Sequence, residues 1–248
     1  MTSTSRSLAY RLARMVGLLI VSWVALTVLA VMVLRFVPPW TSAMIIERRA
    51  GALVTGESDF TYRHHWVPWG QVSPQVGIAM VAGEDQKFPF HHGFDVDAIQ
   101  DAIDAADEGK RLRGASTISQ QVAKNLFLWN GRSFVRKGME AYFTVLIETL
   151  WPKQRILEVY MNIVELGNGV YGVGAASETF FHTTPDRLGL SQAARLAAVL
   201  PNPRRFRVDA PSAYVQRRAA WIAQQVGQLG GPAYLQRPAA APAPGRAR

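Results

Sequence analysis

The chain has 248 residues, a formal net charge of +9 and no cysteine. That length supports one large domain or two small ones with a substantial core. The missing thiols exclude cysteine nucleophiles and Cys-type metal sites, and they fit an oxidising compartment. The positive charge would attract nucleic acid, anionic lipid or a phosphorylated substrate.

Met15–Leu34 is free of charge, and about 20 apolar residues are enough for a helix to cross a bilayer. Arg6, Arg11 and Arg14 precede the run and Arg35 follows it, which predicts a cytoplasmic N-terminus. A cleavable signal peptide would carry a shorter apolar core and a small-residue cleavage site. The better reading is a cytoplasmic segment 1–14 and an uncleaved anchor over 15–37. A membrane-borne anion then becomes a better partner than nucleic acid, and no nucleic-acid binding is expected. Residues 38–72 read as a membrane-proximal segment, because Tyr62-Arg63-His64-His65-Trp66 mixes the residue types that suit a bilayer surface. A packed linker has the same composition.

Ser73-Pro74 is a good helix start, and the apolar run from Val76 to Ala82 leads to Gly83, a natural stop. Glu84 is thus expected at a buried helix's C-terminal end, where the dipole and neighbouring aromatic rings disfavour its charge. Such a carboxylate can act as a general acid or base near neutral pH. For an isolated Glu-Asp pair, a solvated helix end is the commoner case.

Asp97–Glu108 predicts a helix with Ile99 and Ile103 inward, followed by the basic connection Lys110–Gly114. Ser116 reads as the N-cap of a helix over Thr117–Leu128. On it Thr117, Gln121 and Lys124 share a face, with Gln120 and Asn125 at its margins, while Ile118, Val122 and Leu126 turn to the core. Amides and one ammonium suit an oxygen-rich ligand, although a solvated face has the same composition. Ser133 caps the next helix, whose Arg136, Lys137 and Glu140 lie within one turn of each other. They form either a local salt-bridge cluster or a second carboxylate whose cations also bind phosphate.

Pro152 opens a further helix with a core stripe of Ile156, Leu157, Tyr160 and Val164 and an i,i+4 pair of Glu158 and Asn162. Lys153 and Arg155 are extra candidates for phosphate. Gly167–Gly174 predicts a tight loop without the lysine of a phosphate-binding P-loop. Helices over Leu188–Leu200 and Ala219–Leu229 close a domain of residues 73–230. Residues 231–248 are expected to be a disordered tail, rich in Pro, Ala and Arg from Arg237 on. The fold class is all-α.

Taken together, these stretches resemble the peptidoglycan glycosyltransferases of glycosyltransferase family 51, in their single-domain, monofunctional form. Glu84, Asp85, Phe88, His91, Gly93 and Asp95 fit the family's E-D-x-x-F-x-x-H-x-G-x-D motif, and Gly114–Asn125 fit G-x-S-T-I-[ST]-Q-Q-x-x-K-N. Arg136, Lys137 and Glu140 fit R-K-x-x-E, Lys153–Asn162 fit K-x-x-I-L-E-x-Y-x-N, and Leu196–Pro203 supply a fifth match. Departures are small: Ser119 where many relatives carry Thr, and Pro89-Phe90 and Pro152 in place of more polar residues.

The resemblance implies a lysozyme-like helical glycosyltransferase domain that polymerises lipid II into glycan strands, with inversion at the anomeric carbon and release of undecaprenyl diphosphate. It implies Glu84 as the base and Glu140 as a second catalytic carboxylate that orients cations or holds a divalent ion. Lys124, Arg136 and Lys137 would meet the diphosphate, and Ser116, Thr117, Gln121 and Asn125 would position sugar or phosphate oxygens. Asp85 and His91 are expected to brace the Glu84 loop. No cofactor is obligatory on this reading, though a divalent cation such as Mg2+ could sit at the diphosphate, and no protein metal site is expected. The partners implied are lipid II, the growing glycan, the membrane, and other cell-wall synthesis or division proteins. The location implied is the bacterial inner membrane, single-pass, with a periplasmic catalytic domain. A muramidase-like hydrolase or lytic transglycosylase is the enzyme rival, and an inactive wall-binding scaffold is the non-enzyme one.

Overall fold

The structure, a computed structural model, describes residues 3–58, 60–107 and 116–236. It divides into two compact units, Met1–Pro38 and Pro39–Arg248. The first is a single helix, α1 (Ser3–Phe36). Its stretch Tyr10–Phe36 has the length and apolar composition needed to cross a membrane.

The second unit is helical, with helices α2 (Ala43–Thr55), α3 (Pro74–Glu84), α4 (Val96–Asp107), α5 (Ile118–Phe127), α6 (Phe134–Leu150), α7 (Lys153–Ile163), α8 (Gly172–Phe181), α9 (Leu190–Val199) and α10 (Ala213–Leu229). Single turns of 3-10 helix lie at Trp69–Gln71 and Pro185–Arg187, and a longer one at Gly231–Gln236. Helix α3 runs through the middle. Ser73 Oγ accepts from the Gln75 N–H and Pro74 takes the first turn. Every residue from Val76 to Ala82 is buried, so this helix is apolar all round and not amphipathic. It packs on α7, α9 and α10. Gly83 does not stop the helix. It sits inside it because a side chain there would approach Ile222 Cδ1 to 3.1 Å, and its absence lets α10 close on the end that carries Glu84.

Other boundaries also differ from those the sequence predicts. The cap of α5 is Thr117, not Ser116: its hydroxyl accepts from the Gln120 N–H while the Gln120 side chain accepts from the Thr117 N–H. Residues 39–72 belong to the second unit and contain α2, capped by Ser42 and closed by Gly56 in the left-handed region. Helix α10 starts at Ala213, earlier than Ala219, under a Ser212 cap. The expected loop after α7 is a small hairpin of β2 (Glu165–Gly167) and β3 (Val170–Tyr171), with β1 (Arg63–His64) parallel to β3. Strands this short carry no readable alternation. Residues 231–236 are not tail, since Tyr234 is buried and its hydroxyl donates to the Gln86 carbonyl at 2.6 Å. The basic connection 110–113 and the stretch from Arg237 lie outside the described residues.

Asn162 and Glu158 do not pair through their side chains. The Asn162 amide copies a strand partner, accepting from Val67 N at 2.8 Å and donating to Val67 O at 2.9 Å. Glu158 accepts from the Trp69 N–H and from Arg155. Thus α7 fastens residues 67–69 to the body, and the chain enters α3 from a fixed point.

Candidate active site

Glu84 is the last residue of α3, and its side chain is 16% exposed. One carboxylate oxygen accepts from Gln121 Nε2 at 3.1 Å and the other from Arg218 Nη2 at 3.2 Å. The Gln121 carbonyl accepts from the buried Tyr160 hydroxyl at 3.1 Å, which fixes the amide so that its NH2 faces the acid. Burial pushes the Glu84 carboxyl above its ordinary value and the Asp85 charge adds to that, while Gln121 and Arg218 pull it back. The aromatic residues of the same stretch turn elsewhere: Phe88 lies edge-on to His91 and under Lys153, and Phe90 meets Tyr234.

Asp85 has a different surrounding from its neighbour. Its carboxylate is buried, accepts from the Ile118 N–H at the start of α5 at 2.9 Å, and holds His91 Nε2 at 2.9 Å. His91 Nδ1 accepts from the Gly93 N–H, so the proton sits on Nε2 and is donated to Asp85. The Thr117 hydroxyl then donates to the Gly93 carbonyl at 2.6 Å. Asp85, His91, Gly93 and Thr117 thereby lock the loop after α3 to the first turn of α5, where the helix dipole also favours an anion.

The third group lies on α6. Ser133 caps that helix, and Glu140 is buried in it, gripped by Arg136 Nη1 at 2.8 Å and Lys137 Nζ at 2.5 Å. Lys124 of α5 lies within the field of both carboxylates. It makes no ion pair among the described residues, and its charge is attracted by both Glu140 and Glu84 and repelled by Arg136 and Lys137. Burial is the largest influence and pulls its ammonium below the ordinary lysine value. One carboxylate whose proton affinity burial raises, one ammonium without an ion pair among the described residues and a fixed cation cluster are the parts needed to take up a proton while a phosphate-type leaving group departs.

The transglycosylase family's sequence model matches residues 52–227. The chain belongs to the transglycosylase family. Among its relatives, the biosynthetic peptidoglycan transglycosylase of Chromohalobacter salexigens is 52% identical over 232 residues, covering 94% of this chain and 97% of that one. The protein of the same name from Stutzerimonas stutzeri is 54% identical, with 94% of each chain covered. That of Pseudomonas savastanoi pv. phaseolicola is 56% identical over 85% of this chain and 89% of its own. The helical body of this transglycosylase is the family's lysozyme-like fold.

One of the residues expected to touch substrate in this transglycosylase has other partners. Thr117 is buried, its hydroxyl accepting from the Gln120 N–H and donating to the Gly93 carbonyl. Gln120, expected at the margin of the polar face, is buried in the same cap. Ser116 is exposed, and Asn125 is half-buried with no hydrogen bond among the described residues; both stay free to meet substrate. Arg155 pairs with Glu158 and stacks on Trp66, away from phosphate. Lys153 pairs with the half-buried Glu148 at 2.8 Å, and Ser119 donates to the same acid, so these three tie α5, α6 and α7 together.

Three functional neighbours escape the sequence. Tyr160 was expected only as core, Glu148 not at all, and Arg218 comes from a helix that carries no motif. A cavity of about 470 Å³ between α3, α7 and residues 232–236 is walled by Trp69, Phe88, Leu157 and Leu235, and none of Glu84, Lys124 or Glu140 lines it.

Both Glu140 oxygens are occupied by cations, and no three metal-ligating side chains converge among the described residues. The steps below use the protein's side chains alone.

Proposed function

We propose that the protein links lipid II units into glycan strands, the growing chain on its lipid diphosphate being the donor and a lipid II sugar hydroxyl the acceptor. Family membership makes it a peptidoglycan glycosyltransferase serving cell-wall synthesis. Lipid II as substrate and inversion at the anomeric carbon belong to the proposal. The observation that carries it is Lys124, a cation that makes no ion pair among the described residues and is attracted by both Glu84 and Glu140.

In this reading the acceptor oxygen attacks the anomeric carbon and its proton passes to Glu84. The bond from that carbon to the diphosphate oxygen breaks with its electron pair, leaving an anion for Lys124, Arg136 and Lys137 to stabilise. A preorganised charge of this kind acts most where charge grows in the transition state. Glu140 holds the two α6 cations in place before the diphosphate arrives. Ser116, Gln121 and Asn125 lie along the same helix start and face, where sugar or phosphate oxygens would pass, although Gln121 is already engaged with Glu84. Helix α1 would confine enzyme and lipid substrate to one surface of the inner membrane, with the N-terminus cytoplasmic and the second unit periplasmic. Other cell-wall synthesis or division proteins would meet it there.

Labelled lipid II incubated with the full chain tests this. Polymer from the native protein and none from Glu84→Gln is the expected result. Shortening of preformed glycan would replace this reading with a hydrolase, and inertness of the native protein would replace it with a scaffold.

A further inference from the structure

Two features of α10 bear on Glu84 and belong to none of the motifs. Ile222 packs where Gly83 lacks a side chain, which brings the helix against the last turn of α3. One turn earlier, Arg218 Nη2 donates both to Glu84 Oε1 and to the Gly83 carbonyl, each at 3.2 Å. The Arg218 Nε is buried and, among the described residues, has no hydrogen-bond partner, so part of the guanidinium is withdrawn from water beside the acid. A carboxylate that bonds one donor at each oxygen keeps a lone pair on each for an incoming hydroxyl.

We propose that Arg218 is the positioning residue of the base: it fixes the direction of the Glu84 carboxylate and holds it ionised in a buried place. The inference rests on Glu84 being the base. The charged and titratable groups around Glu84 are Asp85 from the loop after α3, Lys124 from α5, the buried Tyr160 from α7 and Arg218 from α10. Helix α9 presents Ala197 to Gly83 and no charge. Asp85 opposes ionisation and is itself tied to His91 and Ile118. Lys124 faces Glu140 as well. Arg218 is therefore the cation whose bond goes directly to the base.

The test is the pH profile of lipid II polymerisation by the full chain in detergent micelles. A base works only when deprotonated, so kcat/KM falls on the acid side as Glu84 takes a proton. Arg218→Gln should move that acid limb upward by about one pH unit, as expected for losing an adjacent opposite charge. Activity at a pH on the old limb then drops about tenfold, while KM stays near native and the rate recovers at higher pH. Arg218→Lys keeps the charge but not the planar guanidinium whose Nη2 serves two oxygens. It should hold the limb within about half a unit and lower kcat several-fold.

An Arg218→Gln protein with the native limb, or one slowed equally at every pH, overturns the proposal. Should that variant fail to melt cooperatively, Arg218→Lys decides, because a lysine variant equal to native in kcat and limb also overturns it. Glu84→Gln run beside them separates the two ideas: native-rate polymer from it removes the base itself, whereas an inert Glu84→Gln with an unmoved Arg218→Gln limb removes only the role of Arg218.

Discussion

Glu84 and Glu140 are the same side chain under opposite constraints. Glu84 is held by one neutral amide and one guanidinium reaching in from another helix, and burial raises its proton affinity. Glu140, no less buried, is gripped by two cations from its own helix, one and almost one turn away. The first arrangement leaves a carboxylate that can change protonation during a reaction. The second makes a fixed anion that organises positive charge. The difference teaches that neither residue type nor burial assigns a role here; the identity and origin of the partners do.

The sharpest way to break that contrast is at Glu84. Replacement by Gln should lower kcat by about a thousandfold, within the range of a lost general base, and leave the fold intact. Its stability signature has a definite sign. A raised folded-state value means that the ionised form costs stability, a cost absent in acid below the ordinary carboxylate value of 4.5 and growing as pH rises through the folded-state value. Melting temperatures of native and Glu84→Gln should therefore draw apart in favour of the variant between acid and neutral pH. A constant gap would contradict the burial argument.

Between the two acids, Lys124→Met should cost about a hundredfold in kcat/KM, the scale of one preorganised donor. Native activity should also fall on the alkaline side below the ordinary lysine value of 10.5, as the depressed ammonium loses its proton. Lys124→Arg should move that limb upward, read from rates over a pH series.

At the other acid, Arg136→Ala should be the more damaging of the two α6 changes, by about tenfold in kcat/KM over Lys137→Ala. The Arg136 side chain is 13% exposed against 51% for Lys137, and solvent screens the exposed pair. Equal losses would mean that the two cations act interchangeably. The smallest effect concerns the seam between the acids. Thr117→Ala should destabilise by about 1 kcal/mol through the lost cap, and Ser116→Ala should stay within about 0.5 kcal/mol, both measured by thermal melting.

What the sequence discloses about this site is what lies close along the chain. Arg136, Lys137 and Glu140 sit within one turn, and helical spacing alone brings them together. Glu84 at a helix end follows from Ser73-Pro74 and an apolar run. Arg218 is separated from Glu84 by 134 positions, and nothing in its local pattern distinguishes it from a solvated arginine. Ser116 and Thr117 are equally good caps by type; the choice falls to Thr117 because its hydroxyl also reaches the Gly93 carbonyl, a tertiary contact. The same contact gives the Thr117 hydroxyl a partner within the protein. Gly83 reads as a terminator by local rule and is a packing residue in fact, since only the approach of Ile222 explains it.

The hydroxyl of Tyr234 closes on the carbonyl of Gln86, 148 positions earlier. Together with Arg218, it means that residues synthesised late complete the surroundings of an acid synthesised early. A nascent chain whose α3 has already left the ribosome still lacks both contacts, so catalytic competence waits until the chain as far as Tyr234 has emerged. Trimming the chain before Tyr234 would leave that competence unfinished.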